Sequence, residues 1–304
     1  MITPGRDRCI YFYTVLFIRM RHRPTRKRRR SRRPIRVRRP TSKRRRSLRR
    51  RSRLRGGRQR GGREAPKLQH CGTEVTKEHV DLVYPIRKRL LECVDQMLRD
   101  ISCPYVMDCG NLLAIMRRKY IAVDDDFDIR TLHHQKLKDH VRNLPPGDLG
   151  VWGKFNPHGP SKKFEVGRDE QHGLLLAKHP HLHTVDGYLA IPDFSHPRFK
   201  DLKQAAEDSG MTACTYGYQV DLVPAFTFEG ENFWGNVDHA FKRLWSAEYF
   251  GIRVPIPHEE DAIKKLEKKY GDWRKETAQT EFDRTFDPKI VKHAPDWIAS
   301  VLSA

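Results

Sequence analysis

Hydrophobic and polar positions follow helical spacing in two long stretches of the chain. Over residues 76–101, apolar side chains recur every three or four positions and charged residues occupy the other face, which predicts an amphipathic helix. Pro104 closes this helix, and Pro85 fits best near its start. A second helix is predicted over 259–270, because acidic residues fill its first turn, lysines fill its last turn and Gly271 suits its C-cap.

Shorter stretches between these helices predict strands and a brief helix. A strand at 105–108 is followed by a turn at 109–111, a helix at 112–119 and an acidic stretch that alternates with apolar residues. Further strands are predicted at 187–194 and 214–228. The second of these segments is rich in β-forming residues. Mixed strands and helices with a more helical C-terminal part indicate an α+β domain.

Charge divides the 304-residue chain into two parts. Residues 1–63 hold 27 of the 60 Lys and Arg side chains and one acidic residue, whereas the remainder holds 33 basic and 37 acidic side chains. A segment this basic cannot bury a core, so we expect residues 1–64 to form a disordered Arg-rich tail. The glycine-rich stretch at 56–63 would act as a hinge. The folded domain is predicted to span 65–304.

The tail is compatible with several partners. Dense guanidinium groups bind polyanions by releasing counterions, so nucleic acid, an acidic membrane surface or an acidic glycan would fit. A solubilising or targeting tail without a specific partner is an equal alternative, and Arg-rich runs resemble nuclear localisation signals. The short apolar segment at 9–18 is below the length of a membrane span, so no transmembrane helix is expected. A cytoplasmic location, or a nuclear one through the tail, is favoured over the secretory pathway.

Four aspartates crowd the predicted strand at 123–129. Side chains alternate along a strand, so Asp124, Asp126 and Asp128 share one face. The opposite face carries the apolar residues Val123, Phe127 and Ile129. Carboxylates this close repel one another unless a positive charge lies among them. A hard divalent cation such as Mg²⁺ is a natural occupant, and a solvated acidic loop is the alternative.

A carboxylate further along the chain and a polar turn extend this pattern. Asp221 lies within an apolar strand, where it requires a partner, either in a salt bridge or in a metal site across from Asp126 and Asp128. Upstream, Gly110 and Asn111 separate a strand from a helix, and such a turn can present backbone N–H groups to an anion. This order of elements is the layout of the nucleotidyltransferase fold.

Other residues that bind metals give weaker signals. None of the six cysteines belongs to a C-x-x-C pair, which disfavours a zinc ribbon. His179, His181 and His183 alternate, but Pro180 weakens a strand interpretation, so a surface location is favoured.

Three segments, in this order, resemble the LicD family, the group that includes fukutin and fukutin-related protein. Residues 107–130 resemble its Gly-Gly-Thr-Leu-Leu-Gly turn and helix, which carries an Arg and leads into Trp-Asp-x-Asp-x-Asp. Residues 218–226 resemble a later strand that contributes an Asp, and 254–273 resemble a C-terminal segment ending in Tyr-Gly-x-Trp. Cys109 stands where the family often has its first Gly, and the tail has no counterpart. Further departures are Asn111 for Thr or Ser, Ala114 for Gly and Val123 for Trp. The Arg-to-Asp spacing is also one residue short, so either Arg117 or Arg118 corresponds to the family's Arg.

The resemblance implies a nucleotidyltransferase-like mixed β-sheet with flanking helices and a metal-dependent enzyme. Family members transfer a phosphorylated alcohol, such as phosphocholine or ribitol phosphate, from a CDP-activated donor to a sugar hydroxyl. Here the acceptor would be a glycan or glycolipid.

The resemblance also implies roles for particular residues. Asp126 and Asp128 would bind Mg²⁺ or Mn²⁺, and Asp221 would bind the metal or accept the proton of the attacking hydroxyl. Asp124 would support the site beside them. The substrate phosphate would be held by Gly110 and Asn111 and contacted by Arg117 or Arg118.

Two other functions remain open on the sequence. A nucleotidyltransferase acting on nucleic-acid ends would use the Arg-rich tail to hold the polyanion. A catalytically inactive relative that binds polyanions would account for the altered turn at Cys109 and Asn111.

Overall fold

The computed structural model describes residues 69–70, 73–74, 76–120, 126–148, 166–178, 187–209, 219–225, 243–275 and 284–303. These residues belong to one compact unit, Leu68–Ala304, with mixed helices and strands. The α+β class is therefore confirmed. The predicted tail at 1–64 and its apolar segment at 9–18 lie outside the described residues.

Six α-helices and twelve strands occur in the described part of the chain. The helices are α1 (Lys77–Asp100), α2 (Cys109–Arg117), α3 (His134–Arg142), α4 (Lys203–Asp208), α5 (Glu259–Tyr270) and α6 (Asp296–Ser303). The strands are β1 (Gln69–His70), β2 (Thr73–Glu74), β3 (Tyr105–Met107), β4 (Lys119–Tyr120), β5 (Phe127–Thr131), β6 (Val166–Asp169), β7 (Leu174–Lys178), β8 (Tyr188–Pro192), β9 (Val220–Pro224), β10 (Leu244–Tyr249), β11 (Ile252–Pro257) and β12 (Arg284–Thr285).

The central feature is a six-stranded mixed sheet. Its strand order is β3-β5-β9-β8-β7-β6, in which β5 and β9 are parallel and every other neighbouring pair is antiparallel. Strand β5 shows the predicted alternation, because Phe127, Ile129 and Thr131 are buried and the residues between them are partly exposed. One face of β5 therefore faces the core and the other is left for polar side chains.

Helix α1 covers this sheet and begins close to the predicted position. The Thr76 hydroxyl caps it by accepting a hydrogen bond from the backbone N–H of His79 at 3.2 Å. The helix passes through Pro85 instead of beginning there. Burial of the apolar stripe that includes Ile86 and Leu90, against β8, β9 and α4, offsets the helical hydrogen bond that the proline removes.

Helix α2 begins three residues earlier than predicted. Residues 109–111, predicted as a turn, form its first turn, because the Asp108 carboxylate accepts a hydrogen bond from the backbone N–H of Cys109 at 2.6 Å. Cys109 has a φ of 47°, in the left-handed region that glycine adopts most readily. The position at which the family resemblance places a glycine is thus one where this chain carries backbone strain.

The other predicted elements agree with the structure to different extents. Helix α5 has the predicted bounds, and β8 lies within the strand predicted at 187–194. A strand was predicted at 214–228, and β9 occupies 220–224 of it. Most of the other residues in that range lie outside the described residues. Within the described ranges, no helix is long and apolar enough to cross a membrane.

Candidate functional site

Three of the predicted aspartates meet at the junction of two parallel strands. Asp128 of β5 and Asp221 of β9 are register partners, so their side chains leave the sheet on the same face. Asp126 lies one residue before β5. One carboxylate oxygen from each of the three lies within 4.8 Å of the other two, and all three residues are partly buried. Asp124, the fourth predicted ligand, lies outside the described residues.

The electrostatic environment makes this cluster costly for the protein. Burial raises the pKa of Asp128, and the neighbouring Asp221 and Asp108 raise it further, while Lys269 and Arg130 act in the opposite direction. Asp221 accepts a hydrogen bond from the side-chain amide of Gln219 at 3.3 Å. The carboxylates thus lie where a cation among them would relieve repulsion.

Asn111 holds the backbone that carries two of these aspartates. Its side chain is fully buried, and its Oδ1 accepts a hydrogen bond from the N–H of Asp128 at 2.6 Å. Its Nδ2 donates to the carbonyl of Asp126 at 3.3 Å, and Arg87 Nη2 donates to the same carbonyl at 3.3 Å. The Arg87 guanidinium also lies 4.7 Å from the centre of the Phe127 ring. The segment 126–128 is therefore fixed from two helices.

A buried ion-pair network lies directly beside the three aspartates. Asp108 is fully buried, its carboxylate forms ion pairs with Lys265 and with Arg130 at 2.7 Å, and its N–H donates to the carbonyl of Asp128 at 2.9 Å. Burial raises the pKa of Asp108, but the charges of Lys265 and Arg130 outweigh burial and hold that pKa well below its usual range. Burial lowers the pKa of Lys265 to about 8. Asp108 is thus a structural anion that anchors α5 to the start of α2.

The residues predicted to contact phosphate occupy different environments. Gly110 is partly exposed in the first turn of α2. Arg117 donates to the carbonyls of Trp273 at 2.7 Å and Lys275 at 3.0 Å, so its guanidinium joins α2 to the segment after α5. Arg118 is exposed at the C-cap of α2, with a φ of 58°. Contacts of these residues with phosphate stay predictions.

Three cationic residues near the site were missed by sequence reasoning. Arg87 lies on the buried face of α1, and Lys265 and Lys269 lie on the face of α5 that carries Ala262 and Leu266. Lys269 is close enough to Asp128 and Cys109 for both to raise the pKa of its ammonium group, although burial lowers it. The sequence carried a signal for Lys265 and Lys269, because they lie three and seven residues after Ala262. That spacing places both lysines on the buried face of the helix.

The donor set fits a hard divalent cation. The three carboxylates come from β5, from β9 and from the residue before β5. They supply only oxygen ligands, which suit Mg²⁺ and Mn²⁺. No protein-family model matches the chain, and a search of curated proteins found no significant match.

Proposed function

We propose that this protein is a metal-dependent phosphotransferase with a nucleotidyltransferase-like fold, of the kind found in the LicD family. It would transfer a phosphorylated alcohol from a CDP-activated donor to a sugar hydroxyl of a glycan or glycolipid. The observation that supports this proposal is the convergence of Asp126, Asp128 and Asp221 at two parallel strands, next to a strand-to-helix connection. The reaction class comes from the family resemblance of the same segments.

The proposed chemistry assigns one task to each carboxylate. Asp126 and Asp128 would hold one or two Mg²⁺ or Mn²⁺ ions, with Asp124 beside them. The bound metal would neutralise charge on the donor pyrophosphate and on the leaving CMP. Asp221 would share the metal or accept the proton of the attacking hydroxyl. Its place opposite Asp128 in the sheet register keeps it within reach of the same substrate atoms.

The proposal gives the Asn111 side chain a positioning task. Both ends of its amide bind the backbone at Asp126 and Asp128, which fixes the spacing of the ligands. The backbone N–H groups of Gly110 and Asn111 at the start of α2 remain the proposed anion contacts. Lys269, like Arg117 and Arg118, is a candidate to contact the donor phosphates. Its ammonium group lies close enough to Asp128 to lower the pKa of that carboxyl.

A donor-consumption assay tests the proposal. The full chain is incubated with Mn²⁺ and, in parallel, with CDP-choline, CDP-ribitol, CDP-glycerol and CTP. Water takes the place of the sugar hydroxyl as the acceptor, and hydrolysis of the donor is measured as release of CMP. We expect one CDP-alcohol to be consumed, and Asp126→Ala to abolish its consumption. The matched control is Asp208→Ala, which removes an exposed carboxylate on α4 and should leave the rate unchanged. CMP release that survives in Asp126→Ala would contradict the proposal.

A nucleotidyltransferase acting on nucleic-acid ends is the second candidate. The observation that favours it is the tail, in which residues 19–63 contain 25 Lys and Arg residues in 45 positions. This function predicts incorporation from an NTP onto RNA or DNA ends that is lost when residues 1–63 are deleted. Under the phosphotransferase proposal, the same deletion leaves consumption of the CDP-alcohol intact.

A further inference from the structure

A second group of side chains with metal-binding chemistry lies at the opposite edge of the sheet. His140 belongs to α3, Asp169 ends β6, and His172 lies in the turn that leads into β7. One ligand atom from each lies within 4.8 Å of the other two. His140 Nε2 is 2.9 Å, and His172 Nδ1 is 2.8 Å, from the same oxygen, Asp169 Oδ2.

This group is separate from the three aspartates. In the strand order, β6 is three positions from β9, and neighbouring strands are about 4.8 Å apart, which gives a separation of roughly 14 Å. The two groups therefore cannot share an ion.

The surroundings support His172 as a metal ligand. Its Nε2 lies 2.9 Å from Asp100 Oδ2, and Asp100 in turn accepts hydrogen bonds from Gln96 at 2.7 Å and Gln171 at 3.0 Å. Histidines that bind metals almost always donate their other ring N–H to a carboxylate or carbonyl, which fixes the ring and its tautomer. Asp100 supplies that carboxylate, and the two glutamines fix Asp100.

The orientation of Asp169 is fixed in the same way. Its Oδ1 accepts the backbone N–H groups of Gln171 and His172, both at 3.1 Å. Its Oδ2 is thereby directed at both imidazoles. Asp169 and His172 are buried, whereas the His140 side chain is 20% exposed and gives solvent a route to the cluster.

We propose that His140 Nε2, Asp169 Oδ2 and His172 Nδ1 bind one transition-metal ion, with Zn²⁺ as the best match. Two imidazoles and one carboxylate form a ligand set that zinc uses where it keeps a position open for water or substrate. The ion takes the place of the hydrogen bonds that now join Asp169 Oδ2 to the two rings. Ligand atoms about 2.0–2.1 Å from a tetrahedral zinc lie roughly 3.3 Å apart. Each ring nitrogen, now 2.9 and 2.8 Å from Asp169 Oδ2, would therefore move only about half an ångström away from that oxygen.

The test compares zinc uptake by matched variants of the full chain after treatment with a chelator. ZnCl₂ is titrated in competition with a chromophoric chelator, and we expect one equivalent to bind the unaltered protein. His140→Ala should lose this equivalent, and Asp100→Asn should weaken it by roughly 10- to 100-fold, the usual cost of removing such an outer partner. The control is the combined substitution of His179, His181 and His183 by Ala, which should retain the equivalent.

Two results would overturn the proposal of a zinc site. One is equal zinc affinity and stoichiometry in the unaltered protein and His140→Ala, and the other is no zinc uptake by the unaltered protein. Should His140→Ala fail to fold, Co²⁺ substitution in the unaltered protein decides the question. Strong visible absorption, typical of tetrahedral Co²⁺, supports the site, and the weak absorption of octahedral Co²⁺ contradicts it.

Discussion

Asp108 and Asp128 are neighbours joined by a backbone hydrogen bond, yet their environments are opposite. Asp108 is fully buried between two cations, Lys265 and Arg130, and its pKa lies well below the usual range because their charges outweigh burial. Asp128 lies opposite Asp221, and burial together with that second carboxylate raises its pKa. Two identical side chains a few ångströms apart therefore experience opposite electrostatic effects.

This difference separates a carboxylate whose charge the protein compensates from one that lies in a candidate metal site. The cations that compensate Asp108 come from the protein, so its contribution to stability is built into the fold. The cluster around Asp128 brings carboxylates together at a cost, which is typical of sites that bind a charged ligand. The comparison yields four predictions.

The largest effect is expected from Asp108→Asn. The substitution leaves the charges of Lys265 and Arg130 without their buried partner, which should lower the free energy of unfolding by about 3–5 kcal/mol. Urea unfolding monitored by circular dichroism measures this change. A loss no greater than that of Asp139→Asn, an exposed pair with Arg142, would refute a structural role for Asp108.

The next effect is expected from Asn111→Ala. Loss of the buried amide removes the hydrogen bonds to Asp128 N and Asp126 O, which should cost about 1–3 kcal/mol. The exposed Asn143→Ala serves as the control and should remain within about 0.5 kcal/mol of the unaltered protein. Unchanged stability in Asn111→Ala would mean that the segment 126–128 is held by other contacts.

Asp128→Asn should change stability in the opposite direction. Removal of one charge from the cluster relieves repulsion, so in the presence of a chelator the free energy of unfolding should rise by about 0.5–2 kcal/mol. The same substitution should abolish stabilisation by Mn²⁺. A clear loss of stability with chelator present would show that Asp128, like Asp108, is mainly structural.

The smallest effect concerns Cys109, the strained residue that follows Asp108. Because Cys109 has a φ of 47°, Cys109→Gly should be more stable than Cys109→Ala by about 1 kcal/mol, the reverse of the usual helical preference. Both variants lose the buried thiol, and they differ in the Cβ methyl, whose burial favours alanine, and in the backbone preference, which favours glycine here. Greater stability of the alanine variant would contradict a backbone strain that exceeds the gain from burying that methyl.

Local patterns predicted the elements whose residues obey a single periodicity. Helix α5 was predicted with its observed bounds, because charged termini and a C-terminal glycine mark both ends. The hairpin of β6 and β7 was missed, since Arg168 and Asp169 make β6 resemble a polar loop. Those residues are in a strand because their charges are paired, Arg168 with Asp193, and Asp169 with His140 and with the nearby His172.

Only those features of the candidate site that follow from strand geometry could be predicted from the sequence. Alternation places Asp126 and Asp128 on one face, and the apolar context of Asp221 indicates a neighbouring strand. The hydrogen-bond partners of the Asn111 amide and the burial of Lys265 depend on how α2 and α5 pack. No local sequence pattern specifies that packing. Sequence reasoning therefore predicted that Asp126, Asp128 and Asp221 lie close together, and it missed the residues that support them.

The most direct test of the central claim is the thermal stability of the full chain with Mn²⁺ and a CDP-alcohol, alone and together. A ligand that binds only the folded state raises the unfolding midpoint. The account predicts that one CDP-alcohol raises the midpoint only when Mn²⁺ is present, and that Asp128→Asn removes the shift. A midpoint that no metal concentration changes, or an equal shift in Asp128→Asn, would contradict a metal site at Asp126, Asp128 and Asp221.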